Sequence, residues 1–302
     1  MNSEKYRITV FTPIYNRRHT IHRAFESLCR QTFKGFEWLI IDDGSTDGVK
    51  ELIDEYISSA DFEVRYFRKE NGGKHTAWNM ALKLIKSDYF ICLDSDDALT
   101  DNALERMLFH WDAIPEEKWG GYWSVAGLCV DSQTGEVVGD RYPEGINEAV
   151  SPRDVATTVN GEKFSCLRTE VMKDFPFPEP EGTTFITESI VWNSVDKSYM
   201  QFYVNDPYRI YYQHEPDSLT VAWYRDHVEE GYVSNYFWKV STVNDAGGGL
   251  KTIFQAVYYG LTAKKSPSRI ISDIKGKNKL AAALMIAPAF AAKALRGKKY
   301  IK

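Results

Sequence analysis

Residues 7–12, RITVFT, form a short β-branched and apolar run, and residues 19–31 then place Ile21, Phe25 and Leu28 on one helical face. The same alternation recurs three times. FEWLIIDD (36–43) predicts a second strand, followed by a helix over 47–59 that turns Val49, Leu52, Ile53 and Tyr56 inward. FEVRYF (62–67) predicts a third strand and KHTAWNMALKLI (74–85) another helix, and YFICLD (89–94) predicts a fourth strand. Continuous apolar strands alternating with amphipathic helices imply a mostly parallel sheet covered on both faces. From about residue 115 the alternation fades. Residues 120–143 read as a hairpin with its turn at Asp131–Gly135, residues 199–238 are rich in aromatics, and DAGGGL (245–250) interrupts the pattern before a helical tail. The longest uncharged apolar run of that tail, Leu280–Ala292, falls short of the roughly 20 residues that span a bilayer. Pro288 is expected to bend it.

Charge changes this picture. The net charge is −5, but residues 251–302 hold 12 Lys and Arg against the single acid Asp273, so residues 1–250 are strongly acidic. An acidic body speaks against nucleic acid as a partner, whereas a basic tail around a short apolar run fits an interfacial helix on an anionic membrane. The four cysteines are scattered with no CxxC pair, which points away from a zinc or disulfide framework and towards a reducing compartment. The first residues carry no apolar run long enough for a signal peptide, so a cytoplasmic location is expected.

Candidate chemistry clusters where the strands end. TPIYNR follows the first strand, DDGSTD the second, ENGGK the third and DSDD the fourth. In open α/β sheets ligands bind beyond the carboxyl ends of the strands, so four polar clusters placed there make one site. Asp94, Asp96 and Asp97 crowd the tip of the last strand. In an extended segment Asp94 and Asp96 share a side, and hard oxygen ligands of this kind suit Mg²⁺ or Mn²⁺. Helix capping by Asp97 or Thr100 is the competing account of this cluster, and capping by Ser45 or Thr46 is the corresponding account of DDGSTD. Gly72 and Gly73 let backbone approach a ligand before a helix, and Lys74 can meet a phosphate there. The stretch has neither GxGxxG nor Walker spacing.

TPIYNR, DDGSTD, NGGK…AWN and LDSDD, in this order, resemble the family 2 glycosyltransferases of GT-A fold. The resemblance covers about residues 6–112 and continues weakly to about 220. It implies a catalytic domain over 1–245, with a nucleotide-sugar-binding half (1–112) and an acceptor-binding half (113–245), followed by a basic helical extension (246–302). It implies a nucleotide pocket lined by Thr12, Pro13, Tyr15, Asp42 and Asp43, with Asn71, Gly73 and Lys74 near base and diphosphate. Asp94, Ser95 and Asp96 would form the DxD element, with Asp94 and Asp96 on a divalent Mn²⁺ or Mg²⁺ and His214 completing the shell. The catalytic base of the family lies in a Glu-Asp element before a helix. FITESIVWNSV (185–195) is the best match, with Glu188 followed by Ser189 rather than Asp. The implied activity is inverting transfer of a sugar from a nucleotide-diphosphate donor, most often UDP-linked, to a hydroxyl of a glycan or lipid-linked glycan. A transferase acting on polyprenyl phosphate, a sugar-nucleotide nucleotidyltransferase and a non-catalytic nucleotide-sugar binder are the alternatives.

Overall fold

The computed structural model describes residues 6–146, 155, 158–213, 227–245 and 248–299. The chain divides into two compact units, residues 1–176 with 198–216 and residues 177–197 with 217–302.

The first unit carries one eight-stranded sheet. Its opening half follows the predicted alternation: β1 (Ile8–Ile14), α1 (His22–Cys29), β2 (Phe36–Asp42), α2 (Val49–Ser59), β3 (Glu63–Arg68), α3 (Lys74–Leu84) and β4 (Tyr89–Cys92). All seven residues of β2 and six of the seven in β1 are buried, as strands covered on both faces require. The following elements are β5 (Ala98–Leu99), α4 (Ala103–Ala113), α5 (Glu116–Trp119), β6 (Tyr122–Asp131), β7 (Lys163–Arg168), α6 (Thr169–Lys173) and β8 (Met200–Tyr211). The strand order is β3-β2-β1-β4-β7-β6-β8-β5. Strands β1 to β4 run parallel, while β7 is antiparallel to both β4 and β6. The carboxyl ends of β1, β2, β3 and β4 therefore share one edge. The core beneath that edge holds Val10, Trp38, Ile40, Ile91, Leu104, Trp111 and Tyr208, and Phe25 stacks on Tyr56 at 3.9 Å.

Two local expectations change. The predicted hairpin keeps its turn, since Gly135 N–H donates to the Asp131 carbonyl at 2.8 Å, but its return strand shrinks to a single bridge between Val130 and Val137. β6 pairs instead with β7 and β8, which bury it on both sides. The capping accounts also fail at both loops. Helix α4 starts after Asn102 and α2 after Gly48, and neither of these residues caps its helix; Leu104 N–H donates instead to Gln31 Oε1 at 3.1 Å and Val49 N–H to Asp47 Oδ1, and Gly48 holds a left-handed φ of 76°.

The second unit is helical among its described residues: α7 (Ser189–Val195), α8 (Val228–Asp245), α9 (Leu250–Thr262), α10 (Pro267–Asp273) and α11 (Asn278–Lys299). Its core packs Tyr236, Val240, Ile253, Val257, Leu261, Ile270 and Ile274 with Ala282 and Ala289 of α11. The Tyr236 hydroxyl donates to Asp273 at 2.7 Å. Pro288 does not end α11, which runs as one 22-residue helix. Taken with its flanking lysines, the window Asn278–Leu295 is long and apolar enough, by length and composition, to cross a membrane, so the expectation from the 13-residue run alone was too short. One side of the helix is nonetheless docked: Ala282 and Ala289 are fully buried, and Lys293 Nζ donates to the Leu261 carbonyl at 2.6 Å.

Candidate active site

The loops at the four parallel strand ends are tied to one another by hydrogen bonds. After β1, Asn16 takes a left-handed φ of 54°; its N–H donates to Ser45 Oγ at 2.9 Å and its Oδ1 accepts from Thr46 N–H at 2.8 Å. Arg18 N–H donates to Asp47 Oδ2 at 2.8 Å, while Asp47 Oδ1 accepts from Val49 N–H at 3.2 Å. Ser45 and Asp47 are therefore used to hold the β1 loop against the β2 loop, which is why Ser45 does not cap α2. Thr12 faces the core, where its hydroxyl accepts from Trp38 Nε1 at 2.9 Å, while Tyr15 is 44% exposed beyond it.

The acid pair after β2 is buried and fully engaged. Asp42 Oδ1 accepts from Ser45 N–H at 2.8 Å and Oδ2 from the Tyr66 hydroxyl at 2.5 Å. Burial and this bond raise the pKa of Tyr66, so the phenol stays protonated as the donor. Asp43 accepts from Gly72 N–H at 2.9 Å and Gly73 N–H at 2.7 Å, and pairs with Lys69 Nζ at 2.5 Å. Gly73 holds a φ of 91°, a conformation that glycine adopts without strain. Asp43 thereby fixes the glycine turn that opens α3. Beside it, Gly44, Arg68, Lys69, Glu70 and Asn71 line an open depression.

Beyond β4 the chain turns instead of staying extended, with Asp97 N–H donating to the Asp94 carbonyl at 3.1 Å. Asp94 and Asp96 are partly exposed, while Ser95 and Asp97 are buried. Lys74 Nζ lies 2.7 Å from Asp94 Oδ1, which brings the glycine-loop helix onto the carboxylate tip. Asp97 does not cap α4. It turns inward, accepting from Tyr212 N–H at 3.1 Å and lying 3.3 Å from Arg209 Nη1. Arg209, on β8 and 7% exposed, also reaches Asp94 at 4.0 Å and Glu162 at 3.1 Å. Burial works against the charge on Asp94, but Lys74 and Arg209, with Arg17 beyond them, hold its carboxyl below the usual range. Burial pushes the Asp97 carboxyl up to about 7; Arg209 opposes this, and Asp94 and Asp96 reinforce it. From the first turn of α1, Arg23 donates to the Asp96 carbonyl at 3.1 Å and stacks on Tyr212 at 4.1 Å.

The structure thus brings the loops bearing Thr12, Pro13, Tyr15, Asp42, Asp43, Asn71, Gly73, Lys74, Asp94, Ser95 and Asp96 to one edge of the first unit. Glu188 belongs to the second unit, where it stands at the start of α7 with its carbonyl accepting from Val191 and Trp192 N–H. His214 lies outside the described residues. Among the described residues no group of three His, Cys, Asp or Glu side chains forms a ready metal cage. Two partly exposed carboxylates in the turn after β4 do fit a hard divalent ion that takes the rest of its shell from substrate oxygens and water. Arg209 and Glu162 were not legible as site residues, because their place depends on which distant strands pair, whereas Arg17 lies within TPIYNR but was given no role of its own. The only local signal was a charged residue inside an otherwise strand-like run at 208–212.

Comparison with known proteins agrees with this geometry. Residues 9–117 match Glycosyl transferase family 2. Over 102 residues the chain is 42% identical to an uncharacterized glycosyltransferase of Rickettsia felis, covering 34% of this chain and 17% of that protein. It is 25% identical over 221 residues to GalNAc(5)-diNAcBac-PP-undecaprenol beta-1,3-glucosyltransferase of Campylobacter jejuni, covering 72% of this chain and 68% of that protein. The chain therefore spans only about a sixth of the length of the first of these relatives. Among solved structures, S. aureus TarS 1-349 in complex with UDP-GlcNAc is 16% identical with a TM-score of 0.55, over 96% of this chain and 92% of that one. The mannosyltransferase PcManGT from Pyrobaculum calidifontis, in complex with GDP-Man and Mn²⁺, is 16% identical with a TM-score of 0.51, over 97% of this chain and 76% of that one. Both show the fold, and the similarity to Glycosyl transferase family 2 spans the strand ends of β1 to β4.

Proposed function

We propose that the chain is a metal-dependent, inverting glycosyltransferase that moves a sugar from a nucleotide-diphosphate donor, UDP-linked, to a hydroxyl of a glycan in cell-surface polysaccharide synthesis. The observation that carries this reading is the β4 tip. There Asp94 and Asp96 stand partly exposed in the turn that follows a buried strand, with Lys74 from the start of α3 paired to Asp94. In this reading residues 1–112 bind the donor. Tyr15 offers an exposed ring beside the nucleotide, Thr12, Pro13 and Asp42 shape the pocket floor, and Asp43 holds Gly72 and Gly73 so that Asn71, Gly73 and Lys74 face base and diphosphate. Asp94 and Ser95 meet the ribose side. Asp94 and Asp96, with His214, would hold Mn²⁺ or Mg²⁺, which supplies Lewis-acid stabilisation of the departing diphosphate.

The remaining roles concern the acceptor. A sugar hydroxyl is a poor nucleophile and needs a carboxylate to take its proton as it attacks. Glu188, at the start of α7, is the proposed base, and residues 113–245 the acceptor-binding half. The Campylobacter jejuni relative carries a lipid-linked glycan in its name, and a lipid-linked acceptor suits the tail, residues 246–302. Leu280, Leu284 and Leu295 are 71%, 69% and 68% exposed on the side of α11 turned away from Ala282 and Ala289. Lys275, Lys277 and Lys279 lie at its start. An exposed leucine stripe with neighbouring lysines fits peripheral binding to an anionic membrane from the cytoplasmic side.

A melting-point screen of UDP-, GDP-, CDP- and dTDP-sugars, each with and without Mn²⁺, tests the reading. Binding to the folded chain alone raises the melting point by linkage. UDP-sugars should raise it most, and only fully with Mn²⁺. No shift with any donor would overturn the assignment.

A further inference from the structure

We propose that Arg17 is an anion-binding residue that receives the diphosphate of the donor, a role that rests on the donor-binding reading above. Arg17 is 6% exposed, and its Nη2 nitrogen is shielded from solvent without a hydrogen-bond partner among the described residues. A guanidinium presents five donors and stays charged at any physiological pH, so burying one without an acceptor is costly. Its neighbours show that the position is built. Asn16 is clamped by Ser45 and Thr46, and Arg18 by Asp47 and by the Gly48 carbonyl, so the backbone is fixed on both sides of Arg17. The Arg17 carbonyl accepts from Thr20 and Ile21 N–H, each at 3.1 Å, which ties it to the entry of α1.

The surrounding charges indicate what is missing. Arg17 stands three residues beyond β1, which pairs in parallel with β4 up to Phe11 and Cys92, so its loop and the Asp94 tip leave the sheet at the same edge. Asp94 is already taken by Lys74 at 2.7 Å, and the other nearby cation, Arg209, is shared among Asp94, Asp97 and Glu162. Arg17 is thus the cation at this tip left without an acceptor among the described residues. A phosphate oxygen pair matches the planar fork of a guanidinium, and a diphosphate brings the negative charge that these carboxylates do not supply to Arg17.

The test compares UDP with uridine, which shares base and ribose but lacks phosphate. Affinities are measured in Mg²⁺ on the full chain, by calorimetry for UDP and by ligand-observed NMR for uridine. Arg17→Gln should weaken UDP at least tenfold and leave uridine within twofold. Arg17→Lys, which keeps the charge and loses the fork, should weaken UDP several-fold with uridine again unchanged, and it carries the test if Arg17→Gln does not fold. Unchanged UDP affinity in either folded variant would overturn the proposal. So would a parallel loss of UDP and uridine, which general damage to the pocket would produce, or a loss of UDP affinity present in Mg²⁺ but absent in EDTA, which a residue acting only through the metal-holding Asp94 would produce. A wild-type chain that binds no nucleoside diphosphate at all would overturn the donor reading itself, a result distinct from a silent Arg17.

Discussion

Replacing Arg209 with Met tests whether the β4 tip is held from below by one buried cation. The substitution keeps most of the side-chain volume and removes the charge that Asp94, Asp97 and Glu162 share. The cost must depend on pH, because Asp97 is only 2% exposed and its carboxyl titrates at about 7. Below that value Asp97 is already neutral in the folded chain, and the variant loses only packing and the pairings to Asp94 and Glu162. Above it, wild type ionises Asp97 beside Arg209, whereas the variant keeps Asp97 protonated. The folded variant then binds one more proton than either wild type or the unfolded chain. Its stability penalty should widen by about 1.4 kcal/mol per pH unit above about pH 7. Near pH 9 it should approach the roughly 3–5 kcal/mol of a broken buried pair, which for a domain of this size is about 6–20 °C in melting point. Calorimetric melts at pH 6, 7, 8 and 9 give the slope, and Arg209→Met combined with Asp97→Asn should remove it. A penalty equal at pH 6 and pH 9, or below about 1 kcal/mol throughout, would refute the account.

Three further outcomes follow from single contacts. Asp43→Ala strands the Gly72 and Gly73 N–H groups and Lys69, so denaturant titration should show a loss of about 1–3 kcal/mol. Asp206 accepts from Arg106 at 2.7 Å and His110 at 2.8 Å, and these partners lower its pKa although burial opposes them. Its contribution is therefore present above the unfolded carboxylate value of about 3.9 and fades as pH falls through the lower folded value. Asp206→Asn should accordingly destabilise the fold by about 1–3 kcal/mol at pH 7 and by progressively less in acid. Leu280→Ser with Leu284→Ser should cut sedimentation with phosphatidylglycerol vesicles by more than tenfold without lowering the melting point, since both side chains are largely exposed; unchanged sedimentation would place the membrane contact elsewhere.

The alternation of apolar runs and helical faces was enough to read the first half of the sheet, because β1 and β2 are buried on both sides and are mostly apolar. Loop placement followed from the same logic, since parallel strands bring their carboxyl ends to one edge. Within the loops the sequence reading went only as far as residue type. It could see Asp42, Asp43 and Asp97 as acids at strand tips, but not that Asp43 binds a glycine turn near residue 72 or that Asp97 faces a cation near residue 209. The first partner follows from the β2–β3 pairing, which sets Asp42 opposite Arg68; the second is fixed by the β6, β7 and β8 pairings, which include three register shifts between β6 and β8 and carry no local periodic signal. Strand β5, two residues long, was likewise invisible, because it exists only by pairing with Arg209 and Ile210. The tail was underestimated for a different reason: counting only uncharged residues missed a helix that continues through Pro288 and past Lys293.

The central claim is that Asp94 and Asp96 present a diphosphate-binding tip that works through a divalent ion. Calorimetric titration of UDP into the wild-type chain and into Asp96→Ala, each with and without Mn²⁺, tests it most directly. The account predicts that Mn²⁺ strengthens UDP binding at least tenfold in wild type and by less than twofold in Asp96→Ala, whose folded chain keeps its melting point. Metal-dependent UDP binding that survives intact in Asp96→Ala would contradict it.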